Sequence, residues 1–402
     1  MREGWIKASL GEVCSFINRG VAPKYVESGG VLVLNQRCVR GHAISKTMAR
    51  RHDAQAKRVP EERFIRPGDV LVNSTGEGTL GRVAQVKVAP EEPTTVDSHV
   101  TIVRPAPGRF DPDFFGHMLQ DIEPMLMVSG VGSGGQTELN RRALAEGFVV
   151  AFPESIPEQR RIVAVVDEAF AAIATARANT ALCLRDAREI PVIHLQAVFA
   201  EAWRSSPLGT LSDLASDITD GDHQPPPKAV SGIPFITITN IVKETRKIDF
   251  SDTFMVPPAY FQALKSGKRP RKGDVLYTVT GSFGIPVIVE ERVEFCFQRH
   301  IALVRPRAGI DSTWLYYLLL SPQVFKQADD RATGTAQRTV SLKVLRSLEV
   351  PLVAPGLQQE IVAELDAINA ETQMLSDIYQ RKLLTLDELN QSLQHEAFAG
   401  AL

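Results

Sequence analysis

RPGDVLVNSTG (66–76) and RKGDVLYTVTG (271–281) are nearly the same phrase, set 205 positions apart in one chain. Each joins Gly-Asp to a short β-branched and apolar run, then closes through hydroxyl residues on a glycine. The echo extends in both directions. Ser98-His99-Val100 leads to Val103-Arg104-Pro105 as Arg299-His300-Ile301 leads to Val304-Arg305-Pro306. GSGGQTELN (132–140) answers TGTAQRTVS (333–341), PEQRRIV (157–163) answers GLQQEIV (356–362), and LQAVFA (195–200) answers LQHEAFA (393–399). Toward the start, Leu10-Gly11-Glu12-Val13 answers Leu211-Ser212-Asp213-Leu214. The chain therefore reads as two copies of a unit of about 200 residues, too long for a solenoid repeat and the size of a domain with an appendage.

Each copy has two textures. Residues 1–155 and 206–354 carry short apolar runs such as VLVL (31–34) and FITIT (235–239), interrupted by glycine and proline at close intervals. That pattern predicts mixed, strand-rich domains with long loops. Brief helical patterns near 111–127 and 311–327 each follow an aspartate suited to capping a first turn. Residues 156–205 and 355–402 are instead nearly free of glycine and rich in helix-favouring Ala, Leu, Gln, Glu and Arg.

In the last segment, positions 361 to 396 taken in alternating steps of four and three give Ile361, Leu365, Ile368, Thr372, Leu375, Tyr379, Lys382, Leu386, Leu389, Leu393 and Glu396, eight of them apolar. This is a heptad seam. The same register in the earlier segment holds Ile162, Val166, Ala169, Ile173, Ala176 and Thr180. The expected arrangement is α+β: two similar mixed domains separated by two long helices, which pair as an antiparallel coiled coil about a pseudo-twofold axis. A helix of 40–45 residues would span about 60–68 Å. Pro191 removes a backbone donor inside the first helix, so a kink is expected there.

Composition sets outer bounds. With 402 residues, 44% hydrophobic and 23% charged, the chain is long enough for two cores. No stretch is apolar enough to span a membrane and the N-terminus lacks a signal core, so a soluble cytoplasmic protein is expected. Cys14, Cys38, Cys183 and Cys296 have neither zinc-site nor disulfide-framework spacing. The net charge of −2 counts at first against a nucleic-acid partner. Yet residues 355–402 alone carry −6, whereas 206–354 carry +3 and 1–155 carry +1. The acidic second helix is read as a docking face for a partner, with Glu364 and Asp366 on it.

No catalytic constellation is found. There is no Walker phosphate loop, and GEGTLG (76–81) has dinucleotide-loop glycine spacing with no helix pattern after it. His99 and His300 recur in matching strand-like runs and read as structural. The hydroxyls after each GDVL lack neighbours that would activate them as nucleophiles. What remains suits binding. Lys265, Lys268, Arg269, Arg271 and Lys272 precede the second GDVL, and Arg50, Arg51, Lys57 and Arg58 precede the first; clusters in corresponding places make them candidates for phosphate contact. Loops carrying Asn73, Ser74, Thr75, Gln136, Thr278, Thr280, Gln337 and Arg338 offer donors and acceptors for base edges.

In this order, twice over, these phrases resemble the specificity subunit of type I restriction–modification systems. INRGVAPKYVESGGVLVLNQ (17–36) and ITDGDHQPPPKAVSGIPFITITNI (218–241) resemble the openings of that family's target-recognition domains. The two GDVL phrases resemble its mid-domain phrase, and GSGGQTELN through PEQRRIV resembles the exit into its helix. The resemblance covers essentially the whole chain. It implies a non-catalytic subunit of a DNA methyltransferase and endonuclease complex, which binds a bipartite double-stranded DNA site with one half per domain and the helices as spacer. It also implies two modification (methyltransferase) subunits as partners, with restriction subunits in the full complex. AdoMet, ATP and Mg2+ belong to those partners, and no cofactor or metal to this chain. One departure stands out: Leu357-Gln358 replaces the Glu158-Gln159 pair at the helix entrance, so a capping glutamate is lost in the second copy. A two-headed scaffold for a peptide or carbohydrate, and an autonomous nuclease or methyltransferase, are the rival readings.

Overall fold

The computed structural model describes residues 4–130, 138–290, 294–335 and 337–401. The chain divides into two compact units, Met1–Thr180 with Arg381–Leu402, and Ala181–Gln380. Both units are α+β, and each contains a head of strands and short helices together with parts of both long helices.

The repeated phrase occupies the same place in both heads. In the first, an antiparallel sheet runs in the order Cys14–Arg19, Val100–Pro105, Val70–Asn73, Val83–Gln85; in the second the order is Ala215–Asp220, Ile301–Pro306, Val275–Thr278, Pro286–Ile288. Val100 lies opposite Asn73 and Val103 opposite Val70, as Ile301 lies opposite Thr278 and Val304 opposite Val275. Alternation divides each GDVL strand between two cores, because successive side chains point to opposite faces. Val70 and Val72 join the core around Phe114 and Phe152, while Leu71 joins the one around Leu34 and Ile102. Val275 and Tyr277 pack with Trp314 and Leu318, and Leu276 with Phe295 and Phe297. Beside each sheet lies a smaller one containing a parallel pair, Val31–Leu34 with Thr94–Val96 in the first head and Ile233–Ile236 with Cys296–Phe297 in the second.

Why the Gly-Asp recurs is then clear. Asp69 is buried and accepts from Nε and Nη2 of Arg104, both at 2.7 Å, and from the backbone N–H of Arg66 at 2.8 Å. Asp274 accepts in the same way from Arg305 at 2.9 and 2.8 Å and from the Arg271 N–H at 2.8 Å. The glycines before them, at φ +88° and +89°, hold a left-handed turn that other residues rarely adopt. The Gly-Asp of one phrase and the Val-Arg-Pro of the other thus form a two-pronged buried ion pair. Asp111 and Asp311 cap their helices, each accepting from the backbone N–H groups two and three residues on.

The long helices run unbroken over Ile156–Ser205 and Pro355–Ala399. The expected kink at Pro191 does not interrupt the first: it continues through the proline, which deprives the Ala187 carbonyl of its usual helical partner. Nor does the missing glutamate disturb the start of the second. In each copy the following glutamine makes the joint. Gln159, fully buried, accepts from Asp111 N at 2.7 Å and donates to Pro153 O at 2.9 Å and Arg109 O at 3.2 Å. Gln358, also fully buried, accepts from Asp311 N at 2.9 Å and donates to Val353 O at 2.7 Å. A second joint follows about two turns along. His117 Nε2 lies 2.9 Å from the Asp167 carboxylate, and the Tyr317 hydroxyl donates to Asp366 at 2.5 Å.

Ile162 and Val166 enter the first head's core with Ala397 and Phe398, and Ile361 and Leu365 enter the second's with Leu195 and Phe199. Ile173, Ile368, Tyr379, Leu386 and Leu393 are half-buried. Leu375 and Leu389 depart from the expected seam, being 40% and 51% exposed. The covered stripe of the second helix passes instead through 361, 365, 368, 372, 376, 379, 383, 386, 390, 393 and 397. Ten steps cover 36 residues, 3.6 per step, the period of an ordinary α-helix and not the 3.5 of a heptad. The drift between the two periods carries 375 and 389 off the covered face.

Candidate nucleic-acid interface

The basic clusters divide into charges held inside the heads and charges left in solvent. Lys268 donates to the Gly221 carbonyl at 3.0 Å and lies 3.5 Å from the Asp222 carboxylate and 4.0 Å from that of Asp220. Arg269 donates to the carbonyls of Leu264, at 3.0 Å, and Gln262, with its guanidinium over the Phe261 ring. Both were read as phosphate contacts; each is half-buried, with its charge matched by oxygen acceptors of the second head. In the first head Arg51 is paired with Glu92 by two bonds of 2.9 and 3.0 Å, and Lys57 donates to Ala22 O at 2.9 Å. Arg50 is exposed and stacks on Tyr25, 3.4 Å from the ring centroid. Arg58, Lys265, Arg271 and Lys272 are exposed, and their side chains have no hydrogen bond or ion pair among the described residues. They form the solvent-facing remainder of the two clusters.

The base-reading candidates divide similarly. Asn73, Ser74 and Thr278 are buried, and a side chain with no exposed surface does not meet a base. Asn73 Nδ2 donates to Gln36 O at 3.0 Å, Ser74 Oγ bonds Thr101 Oγ1 at 2.5 Å, and Thr278 Oγ1 donates to Ser282 O at 2.9 Å. These are strand-end residues whose polar groups serve the sheet. Thr75 bonds the His99 ring at 2.7 Å, while the His99 N–H donates to Asp97 at 2.9 Å. Gln136 lies outside the described residues. Arg338 is clamped to Asp329 at 2.5 Å over the Phe283 ring. Thr280, almost buried, and the exposed Gln337 line one cleft.

That cleft, of about 300 Å3 in the second head, also gathers Asp220, His223, Arg299 and His300. Three of these, Asp220, His223 and Arg299, were not singled out in the sequence. The signal lay in the differences between the copies: Arg299 stands where the first copy has Ser98, and Asp220 where it has Arg19. Arg19 in the first head pairs with Glu138 at 2.7 Å and donates to Leu139 O at 3.3 Å.

Docking residues proposed from the acidic second helix are also engaged. Asp366 holds Tyr317, and Glu364 lies 2.8 Å from His194. Burial pushes the Cys14 and Cys296 thiols up to about 12, which disfavours their thiolate form. Among the described residues, no helix is long and apolar enough to cross a membrane.

Comparison with known proteins gives one consistent outcome. Residues 221–381 match the family model described as the type I restriction modification DNA specificity domain. The chain is 21% identical over 433 aligned positions to the type I restriction enzyme EcoBI specificity subunit of Escherichia coli, covering all of this chain and 87% of that protein. Its fold is similar to a chain from a structure concerned with complex assembly and conformational transition of a type I R-M system, with TM-score 0.75, 21% identity, and coverage of 100% and 99% of the two chains. It is also similar to the HsdS subunit of Thermoanaerobacter tengcongensis, with TM-score 0.66, 21% identity, and coverage of 100% and 98%. Residues 221–381 thus match the type I restriction modification DNA specificity domain, and over its whole length the chain is similar to type I specificity subunits.

Proposed function

We propose that this chain selects a split, asymmetric site on double-stranded DNA, each head reading one half. The two long helices, paired antiparallel about a pseudo-twofold axis, would set the spacer between the halves. The observation carrying this reading is the duplicated joint: two heads with the same strand order, each fastened to the start of a long helix by a fully buried glutamine. Such a joint fixes the direction in which a helix leaves its head, as a spacer element requires.

Modification (methyltransferase) subunits would dock on the helices, with restriction subunits joining them in a full complex. Met374, Leu375, Leu384 and Leu389 on the second helix are exposed, as are Leu182 and Ile193 on the first, and exposed apolar side chains in this number suit a protein partner. AdoMet, ATP and magnesium would be held by those partners in the cytoplasm, and this chain would contribute sequence choice without catalysis. Phosphate affinity falls to the solvent-facing cations, Arg58, Lys265, Arg271 and Lys272, and sequence choice to the cleft side chains. Sequencing the methylated bases of a host that carries the chain with its modification subunits tests the proposal. A motif of two fixed blocks around an unspecified gap is expected. A single continuous motif, or methylation that does not depend on this chain, overturns it.

A further inference from the structure

The cleft in the second head has a composition that separates two kinds of DNA contact. A site for phosphate presents donors and positive charge alone. This one turns a carboxylate inward: Asp220, with a side chain only 19% exposed, bonded by His223 Nε2 at 2.8 Å. An inward carboxylate repels phosphate and accepts from an exocyclic amino group, which a base edge presents in the major groove.

Two side chains at the rim are uncommitted. Arg299 and Gln337 are exposed, and neither side chain has a hydrogen bond or ion pair among the described residues. Their backbones, in contrast, are held. The Arg299 N–H donates to Asp222 O at 3.3 Å, and the next turn closes from Ile301 N to Gln298 O at 3.1 Å. The loop bearing Gln337 is tied down by Gly281 N to Arg338 O at 3.0 Å and by paired bonds between Thr333 and Thr339 at 2.7 and 3.0 Å. Its neighbour Arg338 is locked by Asp329 and Phe283. Gln337 Nε2 itself lies over Gly281, 3.5 Å from where a Cβ would stand. A free side chain on a braced backbone is what base reading requires, since little order remains to be imposed on binding.

We propose that this cleft receives the edge of a base pair in the major groove, with Arg299 and Gln337 as the sequence-reading side chains of the second head and Asp220 accepting from an exocyclic amino group. This rests on the reading of the chain as a DNA specificity subunit. Arg299 has the fork that matches the two acceptors of guanine, and Gln337 the amide that matches adenine. His223 orients the Asp220 carboxylate and is a positioning residue.

The test uses the complete chain expressed with its modification subunits, with two readouts: methylated motifs in the host, and competition binding of the purified complex to duplexes carrying single-base changes. Arg299→Ala and Gln337→Ala are each expected to relax one position in one block of the motif, losing roughly 5- to 150-fold discrimination there, while the other block is unchanged. Arg299→Lys keeps the charge without the fork. It is expected to lose discrimination like the alanine variant while keeping more of the affinity for all sequences. Variants that retain the wild-type motif and its discrimination overturn the inference alone, as does uniform weakening at every sequence. Absence of any two-block motif with the wild-type chain overturns the functional reading beneath it as well.

Discussion

Asp121 is a carboxyl that the first head buries without a full complement of partners. Its side chain is 18% exposed, and the His395 ring lies 3.8 Å away. Burial raises its pKa from 3.8 to about 6, outweighing the attraction of His395. A carboxyl raised on folding binds its proton more tightly in the folded state. Its contribution to stability is therefore fully present below about 4 and is lost as pH rises through about 6. Asp121→Asn should stabilise the protein at pH 7, by on the order of 1–3 kcal/mol, and flatten the stability profile between pH 4 and 6. Urea denaturation at a series of pH values measures both effects. The basic clusters give a second residue-scale contrast. Lys268→Ala strips the Gly221 carbonyl of its partner and removes a cation from beside the Asp222 carboxylate, so it should lower the melting temperature. Arg271→Ala leaves no bond unmade by its side chain and should not. The sequence displayed both charges, three residues apart, but not which one turned inward. That choice depends on Gly221, a residue 47 positions away that only the folded head brings near.

At the scale of the element, the joints between head and helix are the decisive structures. Replacing Gln358 by alanine leaves the Asp311 N–H and the Val353 carbonyl buried without partners. A loss of about 2–4 kcal/mol in chemical denaturation is expected, and a similar one for Gln159→Ala. The ion pair of Glu158 with Arg161, an exposed neighbour on the same helix, contributes little by comparison. The helices also distinguish covered from uncovered leucines. Leu365→Ala should cost about 2–5 kcal/mol, and Leu375→Ala well under 1 kcal/mol, in the same measurement. Helix existence, extent and composition were plain in the sequence, since glycine vanishes and helix formers accumulate over more than forty residues. The face was less so. Over one or two turns a 3.5-residue repeat and a 3.6-residue repeat select the same positions, and only farther along do they part, at Leu375 and again at Leu389. The capping glutamate misled for a related reason: Glu158 and Gln159 are adjacent in sequence, and burial alone shows that the second carries the joint.

For the molecule as a whole, the balance of free and matched charge sets how it meets a polyanion. Replacing Lys265, Arg271 and Lys272 together should weaken binding of the complex to every duplex and reduce the slope of log K against log salt by about 0.9 for each phosphate contact removed. Filter binding at several salt concentrations measures that slope, and a slope unchanged from wild type would exclude all three from contact. The two-part construction was legible because the chain repeats itself, and repetition survives small insertions that blur any single motif. The reading cleft was not legible, because its members come from four separated segments and because the telling positions, Asp220 and Arg299, are those where the copies disagree. The buried ion pair of each GDVL strand has a practical corollary. Asp274 and Arg305 secure the strand at one end, whereas Arg299 and Gln337 project from loops at the other and take no part in that fastening. A library randomised at positions 299 and 337 should consequently yield mostly well-folded proteins, making the second head a scaffold on which new target preferences can be selected without rebuilding its interior.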